Sequence, residues 1–431
     1  MLVLQLFLGS LFFFVFLGIP VAFSLGLSNM IIMSAMDFDF IIMTKKMISG
    51  INNFPLLAIP FFMFVGKIMN TGGIAKRLVR FADSLVGFIT GGLGHVNILA
   101  SMFFGGISGS AIADTAAIGG LLIPPMVEED YPPSYSGAIT AASAVIGIII
   151  PPSIPFILYG ITTNTSIAGL FMAGIIPGII VGSALMLTTY FTTKKGGYGN
   201  LEVTEDKSFS FNKVISSFKE ASLALSLPLL IVGGILGGIF TATEAGAIAV
   251  ILALILSMGV YKEIEVSDLP QLLLETARVT ATVLFLCGMA MVTAWLLTTA
   301  RVPYKLAALI NSIASSQIVI MLMINLLLLI VGCVMDLTPA LLILAPILLP
   351  VVEQLGISPI YFGVIMCINL GIGLITPPVG TVLYVACGVA DVKMEQLVKS
   401  ILPFLITLIA VLILLIAFPQ LVMFIPNMIM G

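Results

Sequence analysis

The chain has 431 residues, 60% of them hydrophobic and 9% charged, with a formal net charge of −3 and a single His and Trp. That composition belongs to an integral membrane protein and excludes a soluble globular domain. No basic block exists to meet a phosphate backbone, so nucleic acid is excluded as a partner and the lipid bilayer is the expected surrounding.

Residues 2–34 are apolar apart from scattered positions such as Gln5 and Ser10, and only Gly18-Ile19-Pro20 interrupts them. They read as one long tilted helix, with two short helices as the alternative. The run carries no basic n-region and no small-residue cleavage site, so a removable signal peptide is not expected. Residues 37–53 alternate apolar and polar positions as an interfacial segment would. A span follows at 55–70, then an amphipathic arm at 72–90 with Lys76, Arg77, Arg80 and Asp83.

Residues 92–127 are too long for one span and are interrupted at Gly105-Gly106-Ile107-Ser108-Gly109-Ser110. This predicts a re-entrant hairpin, entering and leaving the membrane on one side. Next comes a helix at 134–162 broken by Pro151 and Pro152. Two prolines in mid-membrane free backbone carbonyls, which lipid tolerates only where they are buried in protein or line a polar cavity. A span at 166–192 leads to the polar, Lys-rich stretch 194–218, then to two spans, 219–240 and 241–261.

The order then repeats: a span at 277–298, an arm at 301–316, a hairpin at 317–354 with its tip near Val334–Thr338, a helix at 358–388 broken by Pro377 and Pro378, and a last span at 397–424. Pro377 and Pro378 stand 226 residues after Pro151 and Pro152. The same offset pairs Gly106 with Gly332, Pro124 with Pro350, Tyr135 with Tyr361, Gly137 with Gly363, Gly147 with Gly373 and Pro177 with Pro403. The chain therefore divides into an N-terminal membrane helix and interfacial segment (1–54), a first repeat (55–193), a hydrophilic loop with two scaffold helices (194–276) and a second repeat (277–431). An odd number of crossings separates the first spans of the two repeats, so the halves face opposite ways. This gives an all-α polytopic membrane protein, an inverted repeat with two re-entrant hairpins and two broken helices and a site at the midplane. Placing the 72–90 arm and the 194–218 loop on one face collects 13 of the 17 basic residues there, so that face is expected to be cytoplasmic.

The chain has no P-loop, no metal spacing of His, Cys and Glu and no nucleophile elbow, which argues against ATP hydrolysis and against an enzyme. Cys287, Cys333, Cys367 and Cys387 lie in apolar runs and read as small buried hydrophobes. The tips and breaks are rich in Ser, Gly, Thr and Pro, whose hydroxyls and freed carbonyls form the hard oxygen shell that suits Na⁺.

The segments GGISGSAIADTAAIGGLLIPPM (105–126), IIPPSIPFILYG (149–160), FTATEAGAIAV (240–250) and ITPPVGTVLYV (375–385) resemble the large membrane subunit of tripartite ATP-independent periplasmic (TRAP) transporters, the DctM-like family. The resemblance implies an elevator-type, Na⁺-coupled importer of small organic acids in the bacterial inner membrane. C4-dicarboxylates, sialic acid and other sugar acids are the candidate substrates. Its implied partners are a periplasmic substrate-binding protein and a small four-helix membrane subunit on a separate chain. No cofactor is expected beyond Na⁺ as the coupling ion. A stand-alone elevator-type carboxylate or ion transporter is the alternative, and a passive channel fits two broken helices poorly.

The expected Na⁺ ligands are Ser108, Gly109 and Ser110 with Ile150 and Pro151 in the first half, and Gly332 and Asp336 with Gly373, Thr376 and Pro377 in the second. Ser110, Asp114, Ser153 and Arg301 are the expected contacts to the organic acid. Each has a structural alternative: local backbone satisfaction for Ser108 and Ser110, a favourable helix-dipole position for Asp114, an N-cap for Asp336 and a snorkelling side chain for Arg301. Glu244 fits a capping box with Thr241, and His95 reads as a satisfied interfacial residue.

Overall fold

A computed structural model describes residues 2–199, 209–313 and 316–430. The described residues form helices and no strands, and seven of the helices are long and apolar enough to cross a membrane. Parts of the 194–218 loop and of the 301–316 arm fall outside the described residues.

The N-terminus forms two helices, α1 (Leu2–Phe16) and α2 (Val21–Ala35), which pack against each other. The single tilted helix expected from the sequence is not formed. Gly18 takes a left-handed conformation at φ 82°, and Pro20 lacks the N–H that would continue the first helix. The interfacial segment folds as α3 (Ile41–Ile51) against a long helix of the second half.

The first half continues with α4 (Ala58–Thr71), the arm α5 (Ile74–Val86), a hairpin of α6 (Gly92–Ser108) and α7 (Ala111–Glu128), a broken helix of α8 (Pro133–Ala144) and α9 (Ile154–Thr163), and α10 (Ile167–Gly196). Then come α11 (Phe211–Leu236) and α12 (Ala242–Leu254), the latter extended by a π-helical turn to Val260. The second half has α13 (Leu269–Thr299), the arm α14 (Val302–Ile313), a hairpin of α15 (Gln317–Gly332) and α16 (Leu337–Gln354), a broken helix of α17 (Pro359–Gly373) and α18 (Thr381–Ala390), then α19 (Met394–Ala417) and α20 (Pro419–Met430). The last span expected at 397–424 is therefore interrupted, with Pro419 opening a new helix after Ala417.

The broken helices form the centre. Every residue of α8 from Tyr135 to Ala144, of α9 from Ile154 to Gly160 and of α17 from Tyr361 to Gly373 is buried. Such segments, buried all round, have no lipid face to present. The two halves interlock here, because α7 packs on α18 and α16 packs on α9. Around this centre stand α4 with α12, α5 with α11, and α13 with α2 and α3.

Positions related by the 226-residue offset make related contacts. Tyr135 bonds the Thr192 hydroxyl of α10 at 2.5 Å, and Tyr361 donates to the Leu415 and Ile416 carbonyls of α19 at 3.3 Å. A buried amide also ties each hairpin to its own broken helix. The Asn97 amide donates to Thr140 at 2.8 Å and accepts from Ser143 at 3.0 Å, while the Asn369 amide donates to the Asn325 side chain at 2.7 Å. Hydrogen bonds of this kind, made away from water, hold the paired helices in one register.

Candidate functional site: two hairpin tips facing one cavity

The first tip is a two-residue turn. Gly109 ends α6 in the left-handed region at φ 60°, and Ser110 begins α7 as its N-cap, its hydroxyl accepting from the Ala113 N–H at 3.4 Å. A Cβ on residue 109 would meet the Ile154 nitrogen at 3.0 Å and the Pro152 carbonyl oxygen at 3.2 Å. Backbone thus lies against backbone where the tip reaches the proline break of its own half. The Ser108 hydroxyl donates to Asp114 Oδ1 and accepts from the Ser110 N–H at 3.2 Å.

Asp114 is fully buried, one turn into α7. Its Oδ2 has no hydrogen-bond partner among the described residues and faces Gly147, where a Cβ would come within 1.9 Å of it. Buried polar oxygens are normally matched by a donor, and this one is not. In the break, Ser153 is the buried N-cap of α9, donating to the Ile148 carbonyl at 2.6 Å and accepting from the Phe156 N–H at 3.3 Å. Both breaks carry a cis peptide, at Pro151-Pro152 and at Pro377-Pro378.

The second tip is built alike. Asp336, 226 residues after Ser110, is the N-cap of α16, its Oδ2 accepting from the Thr338 N–H at 3.4 Å. Its Oδ1 accepts from the Thr381 hydroxyl of α18 at 3.0 Å, tying tip to break. The Cys333 carbonyl accepts from the Val379 N–H at 3.2 Å, a second such tie. A Cβ on Gly373 would lie 2.6–2.8 Å from the Gly332 backbone, so only glycine fits the crossing. The Thr376 hydroxyl turns back to the Ile372 carbonyl at 2.7 Å, just before the half-buried Pro377.

Gly109, Ser110 and Ile112 of the first tip and Asp336, Leu337 and Thr338 of the second line one cavity of about 350 Å³ between the tips, α2 and α13. A second cavity of about 360 Å³ shares Met63, Ser110, Ile112, Ile154 and Val279 with it and runs along α4 past Ser108 toward the arm α5, ending at Lys67, Asn70 and Thr276. Both are sized for a small ligand, with mostly apolar walls and few polar groups to orient it.

Of the sequence-predicted residues, Ser108, Gly109, Ser110 and Asp336 line these cavities. Asp114, Ile150, Pro151, Ser153, Gly332, Gly373, Thr376 and Pro377 do not line them, and several of these make the tip and break contacts behind the walls. Arg301 lines neither cavity; it is exposed in the turn between α13 and α14, at φ 54°. Glu244 completes a capping box with Thr241. His95 is buried at the base of the first hairpin, and its Nε2 has no partner among the described residues, so it is not fully satisfied. Sequence reasoning missed Lys67, although a cation inside the apolar span 55–70 is itself a signal.

Residues 8–421 match the family model described as the DctM component of the tripartite ATP-independent periplasmic transporters. The chain is 42% identical to the 2,3-diketo-L-gulonate TRAP transporter large permease protein YiaN of Escherichia coli, covering 97% of each protein. It is likewise 42% identical to the sialic acid TRAP transporter large permease protein SiaM of Vibrio cholerae, covering 96% of each. In fold it resembles the YdaH transporter of Alcanivorax borkumensis, with a TM-score of 0.57 at 17% identity over 85% of this chain and 86% of that one. The helical architecture, the two tips on one cavity and these matches together identify the chain as a member of the DctM family, the large permease subunit of a TRAP transporter and a multi-pass protein of the bacterial inner membrane rather than an enzyme.

Proposed function

We propose that the chain imports a small organic acid coupled to Na⁺, handed over by a periplasmic binding protein and carried with a small membrane subunit. The observation that supports this most is the meeting of two offset-related tips, at Ser110 and Asp336, on one cavity. Each tip-and-break unit is a hard-oxygen site. In the first, Ser108 and the unmatched Asp114 Oδ2 would hold a cation beside the break, and in the second Asp336 would do so with the tip and break carbonyls. The acid would lie between the tips. Relatives named for diketogulonate and for sialic acid favour a sugar acid.

In this mechanism the two hairpins re-enter the membrane from opposite faces and the halves are inverted repeats. The hairpins and broken helices ride as one body, because α7 with α18 and α16 with α9 bind the halves together and the amides of Asn97 and Asn369 fix each hairpin to its break. The body slides against α4, α11, α12 and α13 as an elevator.

The test is reconstitution of the chain in proteoliposomes with and without the small subunit and binding protein, presenting N-acetylneuraminate, 2,3-diketo-L-gulonate and succinate under an inward Na⁺ gradient. Uptake only by the complete assembly and only with Na⁺ is expected. Uptake by the chain alone would favour a stand-alone transporter.

A further inference from the structure

An organic anion moving through the two joined cavities meets one acid, Asp336, at the tips. Among the described residues lining either cavity, Lys67 is the only Lys or Arg. It stands at the far end from Asp336, beside Asn70 and Thr276. Its ammonium pairs with Glu275 of α13 at 2.8 Å, while Gln271 donates to the other Glu275 oxygen at 3.2 Å. The Lys67 and Glu275 side chains are 44% and 39% exposed and Lys67 lines the cavity, so a ligand entering it can reach the ammonium. The walls between are mostly apolar, from Met63, Phe104, Ile154 and Val279, with Ser108 and Ser110 as neutral polar residues and no second cation to meet a carboxylate.

We propose that Lys67 is a carboxylate-binding station on the arm face of the transport path, where the carboxylate of the transported acid displaces Glu275 from the ammonium on its way between the tips and the arm face. This rests on the organic-acid function proposed above. Asn70 and Thr276 would supply neutral hydrogen bonds to the acid's remaining polar groups. The rival role for Lys67 is a strut fixing α4 to α13, and the two roles differ in what a charge swap does. Lys67→Glu with Glu275→Lys keeps the strut but puts an acid in the cavity wall.

The first measurement needs no substrate. Ala116→Cys places a thiol on the wall of the Lys67 cavity, in a background with the half-buried Cys333 and Cys387 replaced by alanine. Its reaction rates with an anionic sulfonatoethyl and a cationic trimethylammonioethyl methanethiosulfonate are compared in the assembled transporter. The anionic preference should fall about three- to tenfold in Lys67→Gln and further in the swap, and should persist in Lys67→Arg. An unchanged ratio in both Lys67→Gln and the swap overturns the proposal.

The second measurement is efflux of whichever panel acid the wild-type assembly carries. Half-saturation from the arm face should rise about tenfold in Lys67→Gln and in the swap, the loss of one charge-assisted contact, and fall in Glu275→Gln as the ammonium is released. Full rescue by the swap would make the pair a strut. A wild-type assembly that carries no organic acid would instead remove the functional reading on which the station depends, whatever the reagent ratio.

Discussion

Gly373→Ala probes the geometry of the second tip-and-break unit most directly. A Cβ at this position meets the Gly332 Cα, carbonyl carbon and carbonyl oxygen at 2.6, 2.7 and 2.8 Å, all of them backbone atoms with no rotamer to yield. Raising 2.6 Å to the 3.4 Å of an ordinary contact requires a shift of 0.8 Å between α15 and α17. Overpacking of that kind costs about 1–3 kcal/mol. Metal-site distances hold to roughly 0.2 Å, so the shift exceeds what a Na⁺ shell built from tip and break carbonyls tolerates. Gly120→Ala is the control, since nothing lies within 4 Å of its Cβ and alanine in a helix interior gains about 0.8–1 kcal/mol over glycine. Melting of the purified protein across a Na⁺ titration reads both effects. Gly373→Ala should melt below wild type and lose part of the Na⁺-dependent stabilisation, while Gly120→Ala should equal or exceed wild type and respond to Na⁺ fully. If Gly373→Ala melts like Gly120→Ala with an intact Na⁺ response, the close backbone crossing does not support a cation site.

Asp336→Ala should abolish uptake while leaving the protein inserted and monodisperse, because its carboxylate lines the cavity and its N-cap bond is worth only about 1 kcal/mol; normal uptake would reduce Asp336 to a cap. Two tip-and-break units predict more than one Na⁺ per acid, read as a Hill coefficient above one in Na⁺-dependent uptake, and uptake that is equally fast without a Na⁺ gradient would refute it. Gly66 of α4 and Ala113 of α7 line the same cavity, so cysteines there joined by a reducible linker should stop transport and restore it on reduction; locked protein transporting at the normal rate would leave a rocking motion in place of the elevator.

Much of the site was written in local chemistry. The prolines at 151–152 and 377–378, the Gly/Ser run at 105–110 and the capping box at Thr241 act within a few residues of themselves, so their consequences are legible without a fold. The repeat was legible too, because comparing a chain with itself needs no third dimension, and the 226-residue offset also relates the caps Ser110 and Asp336. Where the sequence left two outcomes at the N-terminus, the left-handed Gly18 just before Pro20 decided for two packed helices.

What only the tertiary structure decided is which polar groups share a space. Periodicity tells which face of a helix is apolar, but not which distant helix covers it, since lipid and protein are equally apolar neighbours. The cavity joins Ser110 to Asp336, which the 226-residue offset separates in the chain, the unmatched Asp114 oxygen faces Gly147 across the hairpin and its break, and Lys67 meets Glu275 of the distant helix α13. Arg301 has the chemistry for a carboxylate but lines neither cavity, while Lys67, one cation within an apolar span, comes to line a cavity only through the packing of α4 and α13.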